Sequence, residues 1–321
     1  MSRNYKINSD IKYTSNLVYQ KNYDTHNYII KNFSIMTWNL WATPCYIKLS
    51  KLDERYKYII NKIKTFNCDI MCFQEVSEYL LNKLLNDTNL KNYYFSHSKV
   101  NNNYSNTTLI ISKFKFNQIK VYHLQTEHDC SLTVAKIGNI HILNCYLQSG
   151  GYFSNLKKGN IRKYHQYRMI QLDEIYNIIS NLKSENIFLM GDFNFNLDGN
   201  KNDWPEMNIF NNYRKLFDDS FIKSGQEYGL TEDTYINTMR YNIKKYHKCF
   251  RYDGILYKSN KFKLDDFKII GQEPVFEISK DHFNELYNHQ PLKINENNKV
   301  DWFISDHFGL VSKYNLFKKI I

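Results

Sequence analysis

A carboxylate and an amide follow an apolar run in the segment IFLMGDFNF, as Asp192 and Asn194. An apolar run that ends in Gly predicts a buried strand that stops at a turn. Residues i and i+2 at a strand end point to the same side, so these two side chains are expected to project together from the edge of a sheet. Proteins of the α/β class often keep their reactive groups at such an edge.

Further predicted strands also end in carboxylate, amide, imidazole or phenol groups. Each residue alone has a structural explanation, because an Asp after a strand is usually a turn residue or helix cap and a lone His is more often structural. Together they suit the hydrolysis of a phosphate ester, which needs a base for the water and donors for the phosphate oxygens. The set is Asn39, Glu75, Tyr146, Asp192, Asn194, Asp253, Asp306 and His307.

The ligand types in this set predict a hard divalent cation, Mg2+ with Mn2+ as the alternative, because such ions prefer oxygen ligands. Zinc is disfavoured, since the sequence has no Cys/His cluster with ligand spacing. A Gly-rich phosphate loop and a G-x-S-x-G motif are also missing from the sequence, which argues against nucleotide-driven chemistry and against a Ser-His-Asp hydrolase.

Alternating strands and helices would position these residues. Amphipathic helices are predicted in KLDERYKYIINKIKTFNC and NIRKYHQYRMIQLDEIYNIISNL, from their apolar spacings of three and four. The Asn- and Lys-rich stretches 195–215 and 260–300 are predicted as loops. The predicted strands are NFSIMTWNLW, CDIMCFQEV and IFLMG, and residues 107–112, 131–137, 140–148, 250–259 and 301–316.

Arg168 interrupts the apolar stripe of the second helix. An Arg on an otherwise buried face either extends its charged end to solvent or pairs with a group at the sheet edge. The helix pattern alone leaves both explanations open.

The composition is that of a globular protein with a basic surface. The chain has 321 residues, 42% hydrophobic content, a net charge of +11 and a pI of about 9.1. The charge favours a polyanionic partner, either nucleic acid or an anionic membrane surface. The alternative is that the Lys excess reflects A/T-rich codons, since Asn, Ile and Tyr are also abundant.

The chain is interpreted as one domain over residues 33–316, preceded by a polar N-terminal extension over residues 1–32. Six cysteines without a C-x-x-C pair indicate reduced thiols. Neither a signal peptide nor the roughly 18 apolar residues of a membrane span is found. An intracellular protein, cytoplasmic or nuclear, is expected; the sequence gives no oligomeric state and a monomer is assumed.

Five motifs in order give the chain a family resemblance. TWNLW, CFQEV, GDFNF, RYDGILY and SDHFGL resemble the signature motifs of the endonuclease/exonuclease/phosphatase superfamily of metal-dependent phosphoesterases. The resemblance covers about residues 33–316. It implies a four-layered α/β sandwich, in which two packed β-sheets are flanked by helices and the active site lies at one edge.

The resemblance also implies a metal site and a base. Glu75 resembles the principal Mg2+ ligand, and Asn39 and Asp306 complete or support the site. Asp192 resembles the base that orients and activates the water.

The other residues are implied to contact the substrate. Asn194 would donate to the phosphate, and His307 would contact it while Asp253 orients the imidazole. Tyr146 would lie near the leaving group, where a phenol can donate a hydrogen bond. Arg168, in YRMIQL, is implied to be a functional helix residue that faces the sheet edge and binds substrate.

Within the superfamily, the segment YRMIQL, Thr234 to Asn237 and SDHFGL resemble the branch that removes tyrosyl adducts from 5′ DNA ends. Tyr146 stands where that branch has His, and is closer to the abasic-site endonucleases. DNA ends are therefore the expected partner. Abasic-site incision, a sphingomyelinase-like lipid hydrolysis and a non-catalytic nucleic-acid-binding module are the alternatives.

Overall fold

The computed structural model describes residues 16–23, 28–44, 47–96, 107–125, 130–150 and 158–317. Two large sheets dominate it. Strands are numbered along the chain. The first sheet has the spatial order β1 (Asn16–Asn22), β6 (Gln118–His123), β7 (Ser131–Ile137), β8 (Ile140–Tyr146), β9 (Ile187–Asp192), β13 (Asp253–Lys258) and β10 (Asp218–Asp219).

The second sheet packs against the first. Its spatial order is β14 (Phe262–Ile270), β17 (Gly309–Leu316), β2 (Asn32–Ala42), β3 (Ile70–Val76), β5 (Thr107–Ser112) and β4 (Tyr94–Phe95). Two short strand pairs lie outside the large sheets. They are β11 (Glu232–Asp233) with β12 (Cys249–Phe250), and β15 (Phe276–Ile278) with β16 (Val300–Trp302).

The helices cover the outer faces of the sheets or connect strands. They are α1 (Leu52–Phe66), α2 (Glu78–Asn86), α3 (Lys158–Asn181), α4 (Met207–Leu216), α5 (Ser220–Ser224), α6 (Thr238–Lys244) and α7 (Lys280–Tyr287), with a 3-10 helix at Thr88–Leu90.

Three apolar clusters show a four-layered sandwich. Between the sheets, Ile35 of β2 packs in one cluster with Phe188 of β9. On the outer face of the second sheet, Trp38 packs with residues of α1 and α2. On the outer face of the first sheet, Leu189 packs with Leu172 of α3 and with residues of α4. The predicted fold class is confirmed.

Strand β9 explains the apolar run that precedes Asp192. Ile187 and Leu189 pack toward the helices, whereas Phe188 and Met190 pack toward the other sheet. A strand buried on both faces needs apolar residues at every position, so its sequence is continuous rather than alternating. The prediction of a buried strand at this place is confirmed.

The strand ends that carry the predicted site meet at one edge. Tyr146 at the end of β8 is paired in register with Asp192 at the end of β9, and Asp253 at the start of β13 is also opposite Asp192. In the other sheet, Asn39 of β2 is opposite Gln74 of β3. Residues far apart in the sequence therefore reach one end of the sandwich.

The prediction of loops over 195–215 and 260–300 is wrong. The first stretch contains α4, whose Met207, Phe210 and Tyr213 are buried at three-residue spacing among Asn and Lys. The second contains β14, β15 and α7, and β16 begins at its last residue. In β14 a register irregularity between Leu264 and Asp266 interrupts the alternation, which hides the strand pattern in the sequence.

The predicted N-terminal extension contains a strand that its polar composition does not reveal. Strand β1 pairs antiparallel with β6 at the edge of the first sheet. The side chains of Leu17, Gln20 and Lys21 in this strand are exposed. Residues 1–15 lie outside the described part of the chain.

The five described cysteines, 68, 72, 130, 145 and 249, are not joined in disulfide bonds. This agrees with the prediction from their spacing, and Cys45 lies outside the described residues. None of the helices in the described part is both long enough and apolar enough to cross a membrane.

Candidate active site

A glycine and a left-handed asparagine shape the turn around Asp192. Gly191 has φ 139°, and a Cβ there would lie 1.9 Å from the carbonyl oxygen of Cys145, so β8 and β9 can approach only with Gly. Asn194 has φ 55°, and its Nδ2 lies 3.2 Å from Oδ2 of Asp192. The two side chains are adjacent as predicted, but because β9 ends at Asp192 a turn brings them together, not strand alternation.

Asn39 links the two sheets at the site. Its Nδ2 donates to Oδ2 of Asp192 at 2.9 Å and to Oε1 of Glu75 at 3.1 Å. Its Oδ1 accepts from the backbone N–H of Trp41 at 2.9 Å. Both ends of the amide are therefore engaged, and Asn39 supports the two carboxylates.

Glu75 lies at the centre of the cluster. Tyr146 donates its hydroxyl proton to Oε1 of Glu75 at 3.0 Å. Glu75 has φ 54°, a conformation that non-Gly residues rarely adopt and that is common at functional sites. The strained backbone turns the carboxylate away from the ladder of β3 and toward the end of the sandwich.

His307 lies between two carboxylates. Its Nδ1 is 2.8 Å from Oδ2 of Asp253, and its Nε2 is 4.0 Å from Oδ2 of Asp192. All three side chains are buried. The short contact fixes the ring through Nδ1 and leaves Nε2 directed toward Asp192.

Asp306 is paired with a cation that the sequence analysis did not include. Its Oδ2 lies 3.0 Å from Nη1 of Arg240 in α6, and its Oδ1 lies 3.4 Å from Oγ of Ser305. Arg240 also forms an ion pair with Glu232 at 2.6 Å. Asp306 is therefore next to the predicted site and already has a charged partner.

Burial shifts the acid-base properties of the cluster. Removal from water raises the pKa of Asp192 to about 8, against the opposing effect of His307. Burial and the charge of Asp306 raise the pKa of Glu75. Burial alone would lower the pKa of His307, but the carboxylates of Asp253 and Asp192 raise it well above the ordinary value. The imidazole is therefore cationic at neutral pH.

The residues of the cluster fit a hard divalent cation. Burial raises the pKa values of Glu75 and Asp192, so a cation bound beside them would stabilise their charged forms. Oδ1 of Asp253 is buried and has no hydrogen-bond partner among the described residues. Ligand atoms of Asp192, Asp253 and His307 lie within 4.8 Å of one another. Because Asp253 and His307 bind each other, Glu75 is the better candidate as the principal ligand of the ion.

Arg168 has a structural position rather than a substrate-facing one. Its side chain is fully buried, with Nε 2.6 Å from Oε1 of Glu206. Its Nη1 donates to the carbonyl oxygens of Gln148 at 2.8 Å and Gly150 at 2.7 Å, and its Nη2 lies 3.1 Å from Nδ1 of His165. The predicted contact with substrate is therefore unsupported, since every guanidinium nitrogen has a partner in the protein.

A buried polar network beneath the site was missed from the sequence. Gln74 Nε2 donates to Oδ1 of Asn144 at 2.6 Å and to Oγ1 of Thr37 at 3.0 Å. Asn144 Nδ2 donates to the carbonyl oxygens of Phe73 and Leu109 at 3.0 and 3.1 Å. This network joins β3 to β8 across the sandwich. An amide within an otherwise apolar strand, as in ILNCY, is the sequence signal for it.

The family profile described as Endonuclease/Exonuclease/phosphatase family matches residues 36–307. The matched region lies within the domain predicted over 33–316 and includes all eight residues of the predicted set. A direct search of curated protein sequences gave no match.

Solved structures share the fold at low sequence identity. Tyrosyl-DNA phosphodiesterase 2 (TDP2) of D. rerio, complexed with single strand DNA product, superposes with a TM-score of 0.63 and 17% identity, covering 88% of this chain and 99% of that chain. Truncated TDP2 of Caenorhabditis elegans has a TM-score of 0.59 and 20% identity over 88% and 98%. The human Nocturnin catalytic domain has a TM-score of 0.55 and 15% identity over 89% and 94%.

Proposed function

Since the chain belongs to the endonuclease/exonuclease/phosphatase family, we propose that it is a Mg2+-dependent phosphodiesterase that cleaves phosphate esters in DNA, at 5′ ends that carry a tyrosyl adduct. Membership makes the chain a hydrolase of phosphoester bonds. The family generally depends on a divalent metal ion, and the choice of Mg2+ rests on the oxygen-donor set around Glu75.

One observation carries the proposal. A hydrogen-bonded pair, His307 with Asp253 at 2.8 Å, directs its free imidazole nitrogen toward Asp192, 4.0 Å away. Asn39 joins Asp192 to Glu75 with donor distances of 2.9 and 3.1 Å. A base, a fixed cation and an anionic ligand are thus held together by direct contacts, as hydrolysis of a phosphodiester requires.

Asp192 is the proposed base, because it orients a water and accepts its proton. A pKa of about 8, caused by burial, suits a group that must take up a proton near neutral pH. When bound, Mg2+ would neutralise phosphate charge and make the attacking water more acidic. Glu75, supported by Asn39 and Asp306, would hold that ion.

His307 and Asn194 are the proposed donors to the phosphate. His307 can donate from Nε2, since its other nitrogen is bound to Asp253. Nδ2 of Asn194 donates to the carbonyl oxygen of Leu147 at 2.9 Å and to Asp192 at 3.2 Å, so a phosphate oxygen would replace the longer contact. Tyr146 donates to Glu75 at 3.0 Å and would give up this hydrogen bond to donate its proton to the leaving oxygen.

The surface beside the site favours nucleic acid over a lipid head group. Tyr235 is 61% exposed and stacks on His247 with ring centroids 3.9 Å apart. Its loop is tied to the site, because Asn237 Nδ2 donates to the carbonyl oxygen of Ser305 at 2.9 Å. An exposed ring with a supported face can stack on a base. The net charge of +11 also favours a polyanion.

Abasic-site incision is the second candidate. Tyr146 stands where the tyrosyl-DNA branch has His, and the structure uses its hydroxyl to bind Glu75. The sequence motif around Tyr146 is closer to that of the abasic-site endonucleases, and this likeness supports the second candidate. The chemistry at the phosphate would be the same, so only the substrate distinguishes the two candidates.

An activity panel tests the proposal. The purified protein with Mg2+ would be incubated with a 5′-phosphotyrosyl oligonucleotide, an abasic duplex and sphingomyelin, and Asp192→Asn would serve as the catalytic control. The expected result is fastest release of tyrosine, with a 5′-phosphate left on the DNA. Faster cleavage of the abasic duplex would change the substrate assignment only. No cleavage of any substrate with Mg2+ or Mn2+ would refute the proposed function.

A further inference from the structure

Three cations form a cluster on and beside α6, which we name the α6 cluster: Arg240, Lys244 and Lys248. Arg240 and Lys244 are one helical turn apart, so they lie on the same face of the helix. Glu232 lies between Arg240 and Lys248. Its carboxylate is 2.6 Å from Nε of Arg240 and 2.8 Å from Nζ of Lys248.

The α6 cluster borders the candidate active site on two sides. Nη1 of Arg240 lies 3.0 Å from Oδ2 of Asp306. Nζ of Lys248 lies 5.2 Å from the ring centroid of Tyr252, and that ring lies 6.1 Å from the ring of His307. An anion bound at this cluster would therefore be next to a phosphate held by His307.

The cluster has more positive than negative charge. Glu232 is its one internal carboxylate, and Asp306 belongs to the proposed metal site. Lys244 is half-buried and forms no ion pair with any described residue. The neighbouring charge of Arg240, together with burial, lowers the pKa of Lys244 to about 8. The charged form of a lysine beside another cation is stabilised when an anion binds next to it.

We propose that the α6 cluster is a subsite for a second phosphate of the substrate, the internucleotide phosphate next to the one that is cleaved. The inference rests on the proposed function and narrows its substrate class. It assigns the enzyme to oligonucleotides rather than to substrates with a single phosphate, such as a mononucleotide ester. Lys244 would supply the free cation, while Arg240 and Lys248 are shared with Glu232.

Two substrates that differ only in the second phosphate test this subsite. Thymidine 5′-(4-nitrophenyl phosphate) has one phosphate, and a thymidine tetranucleotide with the same 5′ ester has further ones. The measured quantity is the ratio of kcat/KM for the tetranucleotide to that for the mononucleotide, with Mg2+. Lys244→Gln is expected to lower this ratio by about tenfold or more, the effect of one lost hydrogen bond to a charged group. Lys244→Arg should restore it.

Lys245→Gln is the matched control, since it removes the same charge from the next, exposed residue. The ratio for this control should equal that of the wild type. An equal loss of kcat/KM on both substrates in Lys244→Gln, or no loss on either, would overturn the subsite.

Binding without catalysis separates this inference from the proposed function. Fluorescence anisotropy of a labelled tetranucleotide in EDTA gives the slope of log affinity against log salt. Lys244→Gln should reduce that slope by about 0.7, the value for one phosphate contact on a single strand. If the wild type cleaves neither ester but the slope changes as expected, the proposed function fails and the subsite stands. An unchanged slope counts against the subsite.

Discussion

His307 and Asp253 form a buried pair in which one carboxylate oxygen binds the imidazole and the other accepts no hydrogen bond from the described part of the chain. Oδ2 of Asp253 lies 2.8 Å from Nδ1 of His307, and Oδ1 has no hydrogen-bond partner among the described residues. A half-satisfied buried carboxylate is costly unless its charge is used. Here it holds His307 cationic and directs Nε2 toward Asp192.

The pair should act as one unit in catalysis. Asp253→Ala and His307→Ala are each expected to lower kcat by about 100-fold or more, because each removes an oriented donor to the phosphate. The double variant should be little worse than the more damaging single variant, since residues that act together are non-additive. Steady-state kinetics on the tyrosyl oligonucleotide gives the three values.

Asp265→Ala is the control for this cycle, because Asp265 is an exposed carboxylate on β14. It should keep wild-type kcat. If the logarithms of the two single losses simply add in the double variant, His307 and Asp253 act separately.

The raised pKa of Asp192 predicts how stability depends on pH without divalent metal. The folded-state pKa is about 8 and the ordinary value is 3.8, so the folded protein holds a proton that the unfolded chain has lost between these values. This contribution to stability is complete below pH 4 and declines as the pH rises toward 8, by up to about 1.4 kcal/mol per pH unit.

The amide in Asp192→Asn cannot titrate, so the stability of this variant should not show that decline with rising pH. Urea unfolding in EDTA at pH 5 and pH 8 should therefore show a smaller fall in the free energy of unfolding for the variant than for the wild type. Equal falls in the two proteins would mean that Asp192 is not held protonated in the fold. With Mg2+ the same variant should bind the oligonucleotide but lose about 100-fold or more in turnover.

Glu75 should control metal binding rather than folding. Glu75→Gln keeps the shape and removes the charge, so Mg2+ affinity measured by calorimetry should fall by at least about tenfold. The same substitution removes a carboxylate whose pKa is raised by burial, so the thermal stability of the metal-free protein should not fall. Glu78→Gln is the matched control, because Glu78 is an exposed carboxylate at the start of α2, three residues after Glu75. Equal Mg2+ affinity in both variants would exclude Glu75 as a ligand.

The strand ends were predictable because they combine two strong signals. A continuous apolar run such as Ile187 to Gly191 indicates a buried strand, and polar residues after it indicate the edge of a sheet. In the structure, Asp192 and Glu75 both lie within hydrogen-bond distance of Asn39. Five motifs in order then fixed the family, which periodicity alone could not do.

The partners of buried charges were not predictable from periodicity. Arg168 pairs with Glu206, and Arg240 pairs with Asp306, although these pairs are 38 and 66 residues apart in the sequence. A helical stripe shows which face is buried but not which carboxylate of another element lies against it. For that reason the helix pattern left the partner of Arg168 open and did not reveal Arg240. The placement of Arg168 at the substrate came from the family resemblance.

Arg168 should therefore affect stability and not substrate binding. Arg168→Met leaves Glu206 buried without its main counter-ion, which is expected to cost about 3 to 5 kcal/mol in the free energy of unfolding. Arg168→Met with Glu206→Gln should recover part of the loss. KM of the folded protein should be unchanged in both. A higher KM with unchanged stability would instead place Arg168 at the substrate, as the sequence suggested.

Arg55 should couple the fold to the site mainly through hydrogen bonds to backbone carbonyl oxygens. This fully buried residue of α1 donates to the carbonyl oxygens of Leu40 at 3.0 Å and Trp41 at 2.9 Å, and also to that of Ile304. Leu40 follows Asn39, and Ile304 is two residues before Asp306. Burial lowers the pKa of Arg55 to about 10, so it is still charged at neutral pH.

Arg55→Lys keeps the charge but cannot replace the planar fork of donors, because an ammonium has three protons at one point. Each buried carbonyl left without a donor costs about 1 to 3 kcal/mol, so we expect a clear loss of stability in urea unfolding. Mg2+ affinity should also fall, since the segments that position Asn39 and Asp306 lose their shared anchor. Arg214→Lys, at an exposed Arg of α4 whose Nη2 donates to the carbonyl oxygen of Leu197, should cost less stability than Arg55→Lys, because fewer carbonyl oxygens lose a donor. If Arg55→Lys matches this control in both stability and Mg2+ affinity, the guanidinium does not position the site.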